Sequence, residues 1–137
     1  MGIEYTKKKL VYISHPSGGL IENDEEIANI VRELYKNDDI YNNFCIVSPV
    51  HCYGFMYNEY DSSEKDYYKG LSFCTDLLLH CDLMLLTGNW ETSRGCNVEV
   101  GICKEAGIPL VEIKTLHEIK EKLQNGNLAK ELLDKIK

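Results

Sequence analysis

A polar segment between residues 88 and 99 has residue types that suit anion binding and glycosyl transfer. Ser93 can cap the helix predicted after it, and the free backbone N–H groups at the start of that helix would bind an anion. Arg94 adds a forked cation that fits a phosphate or a carboxylate. Glu99 lies in the first two turns, where the helix field favours its ionised form, and such a carboxylate can attack C1′ of a sugar. The simpler interpretation is a cap followed by a solvated glutamate.

A second candidate phosphate site follows the apolar run at residues 10–14. There Ser14 and His15 lead into a turn with the paired glycines Gly18 and Gly19, which let a backbone approach a ligand closely. The turn lacks the lysine of a P-loop and the spacing G-x-G-x-x-G. An ordinary turn therefore stays open as the alternative.

Aromatic residues accompany both segments. Tyr12 lies inside the apolar run, and a buried tyrosine hydroxyl needs a partner, which a carboxylate across the cleft would supply. A plain core position is the alternative for it. Residues 49–62 are rich in aromatic side chains, which either stack on a base or hold a long loop in place; they are Tyr53, Phe55, Tyr57 and Tyr60.

The six cysteines support neither a zinc ribbon nor a thioredoxin-type motif, because the sequence has no Cys-x-x-Cys pair. The pairs His51–Cys52 and His80–Cys81 leave a metal site open as the alternative. Thiols rather than disulfides are expected in a cytosolic chain. Most of the cysteines lie inside apolar runs, where a free cysteine packs as a small hydrophobe. We therefore expect no metal and no cofactor.

The elements that must position these residues alternate between β-type runs and helical patterns. Strands are predicted at 10–14, 44–47, 83–87 and 109–113. Helices are predicted at 24–36, 63–80 and 94–106, and again along the tail 115–137 with a break at Asn125-Gly126. Asn23 is the predicted cap of the first helix, Gly107 ends the third, and residues 49–62 are predicted as an irregular loop.

This order predicts an α/β fold. The strand runs are apolar throughout, which is typical of a parallel sheet covered on both faces. Right-handed crossovers make it a doubly wound, flavodoxin-like sheet of about four to five strands in the order 2-1-3-4, with helices on both faces. One domain, 1–137, fits the length. Ligands bind such sheets beyond the carboxyl ends of the strands, where the candidate segments would meet.

Composition excludes several classes of partner. The 137 residues carry a net charge of −7, and the arginines are Arg32 and Arg94, so binding to nucleic acid or to an anionic membrane is not expected. No apolar run approaches the length that spans a bilayer. The apolar stretch after the basic N-terminus is too short for a signal peptide. We therefore expect a cytoplasmic protein.

The order of motifs resembles the nucleoside 2-deoxyribosyltransferase-like superfamily, and most closely its small bacterial and phage branch, the DUF4406 domain. That branch reads Tyr-Ile-Ala-Gly-Pro in its first strand, where this chain has Tyr12-Ile-Ser-His-Pro. It then reads Gly-Trp-Glu-x-Ser-x-Gly-x-x-x-Glu, where this chain has Trp90-Glu-Thr-Ser93-Arg-Gly95 and then Glu99. The resemblance covers roughly residues 8–113.

The resemblance implies roles for the matching residues. Glu99 would attack C1′ and form a glycosyl-enzyme ester, and Tyr12 would orient it. Ser93, Gly95 and Arg94 would hold a 5′-phosphate. The other residues assigned to nucleotide binding are Trp90, Ser14, His15, Gly18 and Gly19.

Two positions depart from the family pattern. The aspartate that usually acts as the acid falls at Cys74, and Asp76 would face away from it. The small glycine of the first loop is replaced by His15. A thiol is a poor general acid for a departing base, so either His15 supplies the proton or little catalysis remains.

We therefore expect a nucleotide-binding N-glycosidase, a hydrolase, or a deoxyribosyltransferase acting on a small-molecule nucleotide. The chain would be a homo-oligomer, because relatives often complete the pocket across a subunit interface. One alternative is a non-catalytic binder that sequesters a nucleotide or an ADP-ribose-like signal. A structural module with a vestigial pocket is the other.

Overall fold

A computed structural model describes residues 7–17, 21–53 and 64–136, with the backbone alone described at 64–67. Four parallel strands form one sheet in the order β2-β1-β3-β4, which confirms the predicted α/β, flavodoxin-like topology. The strands are β1 (Lys9–Ser14), β2 (Phe44–Val47), β3 (Leu83–Leu86) and β4 (Leu110–Glu112).

Helices surround this sheet. In chain order they are α1 (Ile21–Tyr35), α2 (Asp38–Asn43), α3 (Pro49–Tyr53), α4 (Glu64–Leu79), α5 (Arg94–Ala106), α6 (Leu116–Gln124) and α7 (Leu128–Ile136), with a 3-10 turn at Trp90–Thr92. Gly107 ends α5 in the left-handed conformation, as predicted. The predicted break near Asn125-Gly126 separates α6 from α7. None of the helices in these described ranges is long and apolar enough to cross a membrane.

The alternation of side chains along β1 divides the core between the two faces of the sheet. Val11 and Ile13 belong to one buried cluster, which also holds the apolar faces of α1, α6 and α7. Tyr12 points to the opposite face and belongs to the cluster beneath α4 and α5. The side chain of Tyr12 is therefore placed against the helix that carries Glu99.

The strand register aligns the carboxyl ends of β1 and β3. Ser14 is paired with Leu86, and the Thr87 N–H donates to the Ser14 carbonyl at 2.9 Å. The segments that follow the two strands therefore leave the sheet side by side.

The first helix begins earlier than predicted. It starts at Ile21, so Asn23 lies inside the helix and the prediction that it caps the helix is wrong. Its side-chain amide instead donates to the Ser17 carbonyl at 2.8 Å. Glu22 and Asp24 occupy the first turn, where carboxylates suit the helix dipole.

Two short helices were not predicted. Residues 49–53 form α3, so the prediction of an irregular loop is wrong for these residues. The rest of the predicted loop, 54–62, lies outside the described residues. Pro49 occupies the first helical position, where its fixed φ suits a helix and its missing N–H costs nothing. The other unpredicted helix, α2, begins after Asn37, whose side chain accepts from the Ile40 N–H at 3.0 Å.

Candidate functional site

A cavity of about 510 Å³ lies at the carboxyl edge of the sheet. Its described lining comes from the end of β1, the first turns of α1, α3 and α5, and the middle of α4. The polar or ionisable members include Tyr12, His15, Ser17, Asn23, Cys74, Ser93, Arg94, Cys96 and Glu99. The volume falls within the range that binds small molecules and cofactors.

Glu99 is a buried carboxylate in the wall of this cavity, and only 6% of its surface is exposed. It lies on the inward face of α5 together with Cys96 and Cys103. The Ser14 hydroxyl donates to Glu99 Oε1 at 2.9 Å, and the Tyr12 hydroxyl lies close enough to this carboxylate to lower its pKa. The structure therefore brings Tyr12 and Glu99 together, and the alternative of a solvated glutamate is wrong.

The protonation of Glu99 is set by burial. Loss of hydration raises its pKa to about 7, although Tyr12 and Ser14 act to lower it. The helix field was expected to favour the ionised form of this group, and desolvation opposes that effect. The field at the start of a helix stabilises a charge by at most about 2 kcal/mol, which desolvation exceeds here.

The start of α5 forms one corner of the cavity. Ser93 is the N-cap, as predicted, and its hydroxyl accepts from the Cys96 N–H at 3.3 Å. Arg94 and Gly95 line the cavity next to it. The Arg94 guanidinium lies 5.1 Å from the centre of the half-exposed Tyr68 ring, within cation–π range.

Asn97 holds the turn before α5 in a fixed shape. Its side-chain amide donates to the carbonyls of Ser93 at 2.8 Å and Glu91 at 3.0 Å, with a longer contact of 3.4 Å to that of Trp90. Sequence reasoning missed this residue. The signal was present, because an amide four residues after a cap can reach back to the carbonyls of the preceding turn.

Two side-chain contacts tie the same turn to the end of the sheet. Trp90 Nε1 donates to Glu112 Oε2 at 2.6 Å, and Glu91 forms an ion pair with Lys114. Trp90 was expected to bind nucleotide. It does not line the cavity among the residues described, and its indole N–H is directed to β4 instead.

His15 is fixed in the cavity wall by groups from two elements. Its Nδ1 lies 2.7 Å from Thr87 Oγ1, and its Nε2 lies 3.4 Å from Glu26 Oε2. Burial lowers the pKa of the imidazole, although Glu26 acts to raise it. A side chain at position 88 would come within 2.8 Å of His15 Cε1, and Gly88 has a positive φ, so only glycine fits beneath this ring.

Cys74 faces the cavity from α4 and is buried, while Asp76 is exposed, as predicted. Position 74 therefore lies in the wall of the cavity. Cys96 also lines the cavity, and burial raises the pKa of its thiol. The expectation of core packing holds for both of these residues.

The remaining cysteines divide between core and surface. Cys81 and Cys103 are buried, whereas Cys45 and Cys52 are exposed, so core packing is wrong for these last two. In the described part of the chain, no group of three or more histidine, cysteine, aspartate or glutamate side chains could hold a metal ion.

Other candidate residues have different positions. Ser14 is buried beneath the cavity wall and hydrogen-bonds to Glu99. Tyr53 stacks on Phe73 with ring centres 5.5 Å apart. Several of the candidate residues lie outside the described residues, namely Gly18, Gly19, Phe55, Tyr57 and Tyr60.

These features define an α/β protein with a cavity at the carboxyl edge of a parallel sheet and a buried glutamate in its wall. The sequence matches the family described as "Domain of unknown function (DUF4406)" over residues 9–112, and the chain belongs to that family. A search of curated proteins found no match.

Proposed function

We propose that this protein binds a nucleotide and cleaves or transfers its N-glycosidic bond at C1′, as the resemblance to the nucleoside 2-deoxyribosyltransferase-like superfamily implies. The observation that carries the proposal is the buried Glu99 in the cavity wall, held by Ser14 and Tyr12. A buried carboxyl with an altered pKa inside a cavity is typical of a functional group rather than a structural one.

Glu99 would act as the nucleophile. In its ionised form a carboxylate oxygen attacks C1′, the bond from C1′ to the base breaks, and its electron pair leaves with the base nitrogen. Water or an acceptor then attacks C1′ and releases Glu99. Ser14 and Tyr12 would hold the carboxylate in one orientation.

The start of α5 would bind the 5′-phosphate of the same nucleotide. The backbone N–H groups after Ser93 and the positive end of the helix favour an anion there. Arg94 lies at this corner of the cavity and adds a full positive charge. A charge-assisted hydrogen bond at this position would select nucleotides over nucleosides.

Release of free base from nucleoside monophosphates, followed by chromatography, tests this proposal. We expect release by the native protein and none by Glu99→Gln, because an amide cannot form the glycosyl ester. Glu105→Gln is the matched control, since Glu105 is an exposed carboxylate on the same helix. Equal release by the native protein and Glu99→Gln would refute the role of Glu99.

Cys74 favours a second candidate function, a binder that sequesters a nucleotide or an ADP-ribose-like signal. The thiol occupies the cavity position where the resembling family has its acid, so nucleotide could bind without being cleaved. A thermal shift detects the binding that both functions require, because a ligand at 100 times its Kd adds about 2.7 kcal/mol of stability, and release of base then distinguishes them. A large shift with no release of base from any nucleotide tested would establish the binder.

A further inference from the structure

His15 and Glu26 bring two hydrogen-bonding groups together at the α1 side of the cavity. His15 lines the cavity and only 3% of its side chain is exposed, whereas the side chain of Glu26 is half exposed. Nε2 of the His15 ring lies 3.4 Å from Glu26 Oε2. Asn23, which also lines the cavity, lies one turn before Glu26 on the same face of α1. The carboxylate of Glu26 therefore lies at the rim of this cavity.

Contacts at the end of the sheet decide which nitrogen of the His15 ring carries the proton. Thr87 has one hydroxyl proton, which it donates to the Ser14 carbonyl at 3.1 Å. Thr87 Oγ1 therefore accepts the hydrogen bond from His15 Nδ1, at 2.7 Å. Because the neutral ring has a single N–H, Nε2 carries a lone pair and is an acceptor.

The contact between His15 and Glu26 is therefore one between two acceptors. Burial lowers the pKa of the imidazole and favours the neutral ring, although Glu26 acts to raise this pKa. A carboxylate has no proton to donate, so Nε2 and Oε2 face each other across 3.4 Å with no hydrogen between them. A buried acceptor that lacks a donor costs free energy, so this pair favours a ligand that brings hydroxyl groups.

We propose that His15 Nε2 and the Glu26 carboxylate accept hydrogen bonds from the 2′- and 3′-hydroxyls of a ribose, so that the substrate is a ribonucleotide rather than a 2′-deoxyribonucleotide. The inference rests on the proposed binding of a nucleotide in this cavity. The two hydroxyls of a ribose are neighbours on one face of the sugar, so each can donate to one of two adjacent acceptors. A carboxylate binds the ribose 2′-hydroxyl in the same manner in α/β proteins that bind dinucleotides.

The position of this pair suits a sugar whose C1′ lies beside Glu99. Ser14 donates to Glu99, and His15 is the next residue of the chain. C2′ is bonded to C1′, so its hydroxyl lies close to the atom that Glu99 would attack. The 5′-phosphate would extend to the start of α5, where Arg94 lines the cavity. The sugar hydroxyls, the reacting carbon and the phosphate would then have separate partners in the described wall.

Three adenine nucleotides that differ only at C2′ test the proposal. Adenosine monophosphate has both hydroxyls on one face, 2′-deoxyadenosine monophosphate lacks one of them, and arabinosyladenine monophosphate has them on opposite faces. We expect the ribose form to bind roughly 10- to 100-fold more tightly than the other two, because these lose a hydrogen bond to a charged group or to the ring. The same three forms of cytidine monophosphate repeat the comparison with a pyrimidine. Titration calorimetry on Glu99→Gln, which does not consume the nucleotide, measures the affinities.

Glu26→Gln should remove the preference for ribose. Its side-chain amide would donate to His15 Nε2 and so occupy the acceptor that the sugar needs. The ratio of the affinities for the ribose and 2′-deoxyribose forms should fall close to one. Glu25→Gln is the matched control and should keep the ratio, since Glu25 is an exposed carboxylate one residue earlier on the same helix.

Thr87→Val gives a second measurement that leaves both proposed partners of the sugar in place. Valine has nearly the same shape but accepts no hydrogen bond, so the proton of His15 can move to Nε2 and be donated to Glu26. The affinity for the ribose form should fall towards that for the 2′-deoxy form. A loss of packing alone would instead weaken all three nucleotides equally.

The outcomes separate this inference from the proposed function. Equal affinity for the ribose form and either of the other forms would overturn the inference and leave nucleotide binding standing, which is also the result expected if His15 is charged and paired with Glu26. A preference for ribose that persists in Glu26→Gln or in Thr87→Val would overturn it too. Absence of binding by every nucleotide, in the native protein as well, would overturn both the inference and the proposed function.

Discussion

The ionised form of Glu99 that the proposed reaction needs is also the form that destabilises the folded protein. Its pKa of about 7 lies above its ordinary value, so the folded protein holds a proton that the unfolded chain releases between about pH 4.5 and 7. Stability is therefore lost as pH rises through that range, at about 1.4 kcal/mol per pH unit. The buried charge at high pH is tolerated because Ser14 and Tyr12 bind it.

Glu99→Gln should accordingly be inactive and yet more stable than the native protein at pH 8. The amide fills the same space without a charge, and its oxygen can still accept from Ser14. We expect the gain to be on the order of 3 kcal/mol at pH 8 and to disappear by pH 4.5. Thermal or urea unfolding at several pH values measures it. A gain that does not depend on pH would contradict the burial argument.

The rate of base release should follow the same ionisation in the opposite direction. The nucleophile is the deprotonated form, so the rate should rise about tenfold per pH unit below neutral pH and level off above it. Substitutions at the start of α5 should leave this pH profile unchanged, because the groups there bind phosphate in the proposal and exchange no proton.

At the scale of elements, the start of α5 carries the proposed selectivity for phosphate. Arg94→Ala should weaken nucleotide binding about tenfold or more while leaving the matching nucleoside almost unaffected, since a charge-assisted contact contributes roughly 1.5–3 kcal/mol. Arg32→Ala is the control, because Arg32 is exposed on α1. Titration calorimetry with both ligands measures the difference. Equal losses for nucleotide and nucleoside would mean that Arg94 does not bind phosphate.

Phosphate binding at the start of α5 also requires the turn before this helix to keep its shape. Asn97→Ala removes the amide that bridges the carbonyls of Ser93 and Glu91. We expect nucleotide affinity to fall several-fold more than nucleoside affinity, because a loosened turn no longer directs its N–H groups at the phosphate. Asn29→Ala on α1 is the matched control. If the two ligands weaken equally, Asn97 serves stability alone.

At the scale of the whole molecule, the hydrophobic pattern of the sequence was sufficient to predict the topology of the sheet. Uniformly apolar runs such as residues 83–86 indicated buried parallel strands, and their spacing by helical patterns fixed the sheet order. The same patterns brought Tyr12 and Glu99 to one cavity. They could not give the protonation of Glu99, because desolvation depends on packing across distant segments. They also gave no sign of the hydrogen bond from Trp90 to Glu112 on β4.

Self-association is a property of the whole molecule that sedimentation can test. Leu79 on α4 and Val98 on the neighbouring α5 are exposed large apolar side chains, and they are the positions at which we expect one chain to contact another. We expect sedimentation to give a mass of at least twice 15.7 kDa for the native protein. Introducing charges through Leu79→Glu and Val98→Glu should shift it to the monomer, because a buried interface disfavours unpaired carboxylates. Lys130→Glu, which changes the charge of an exposed polar position on α7, should leave the mass unchanged. A native protein that sediments as a monomer at every concentration would rule out the homo-oligomer.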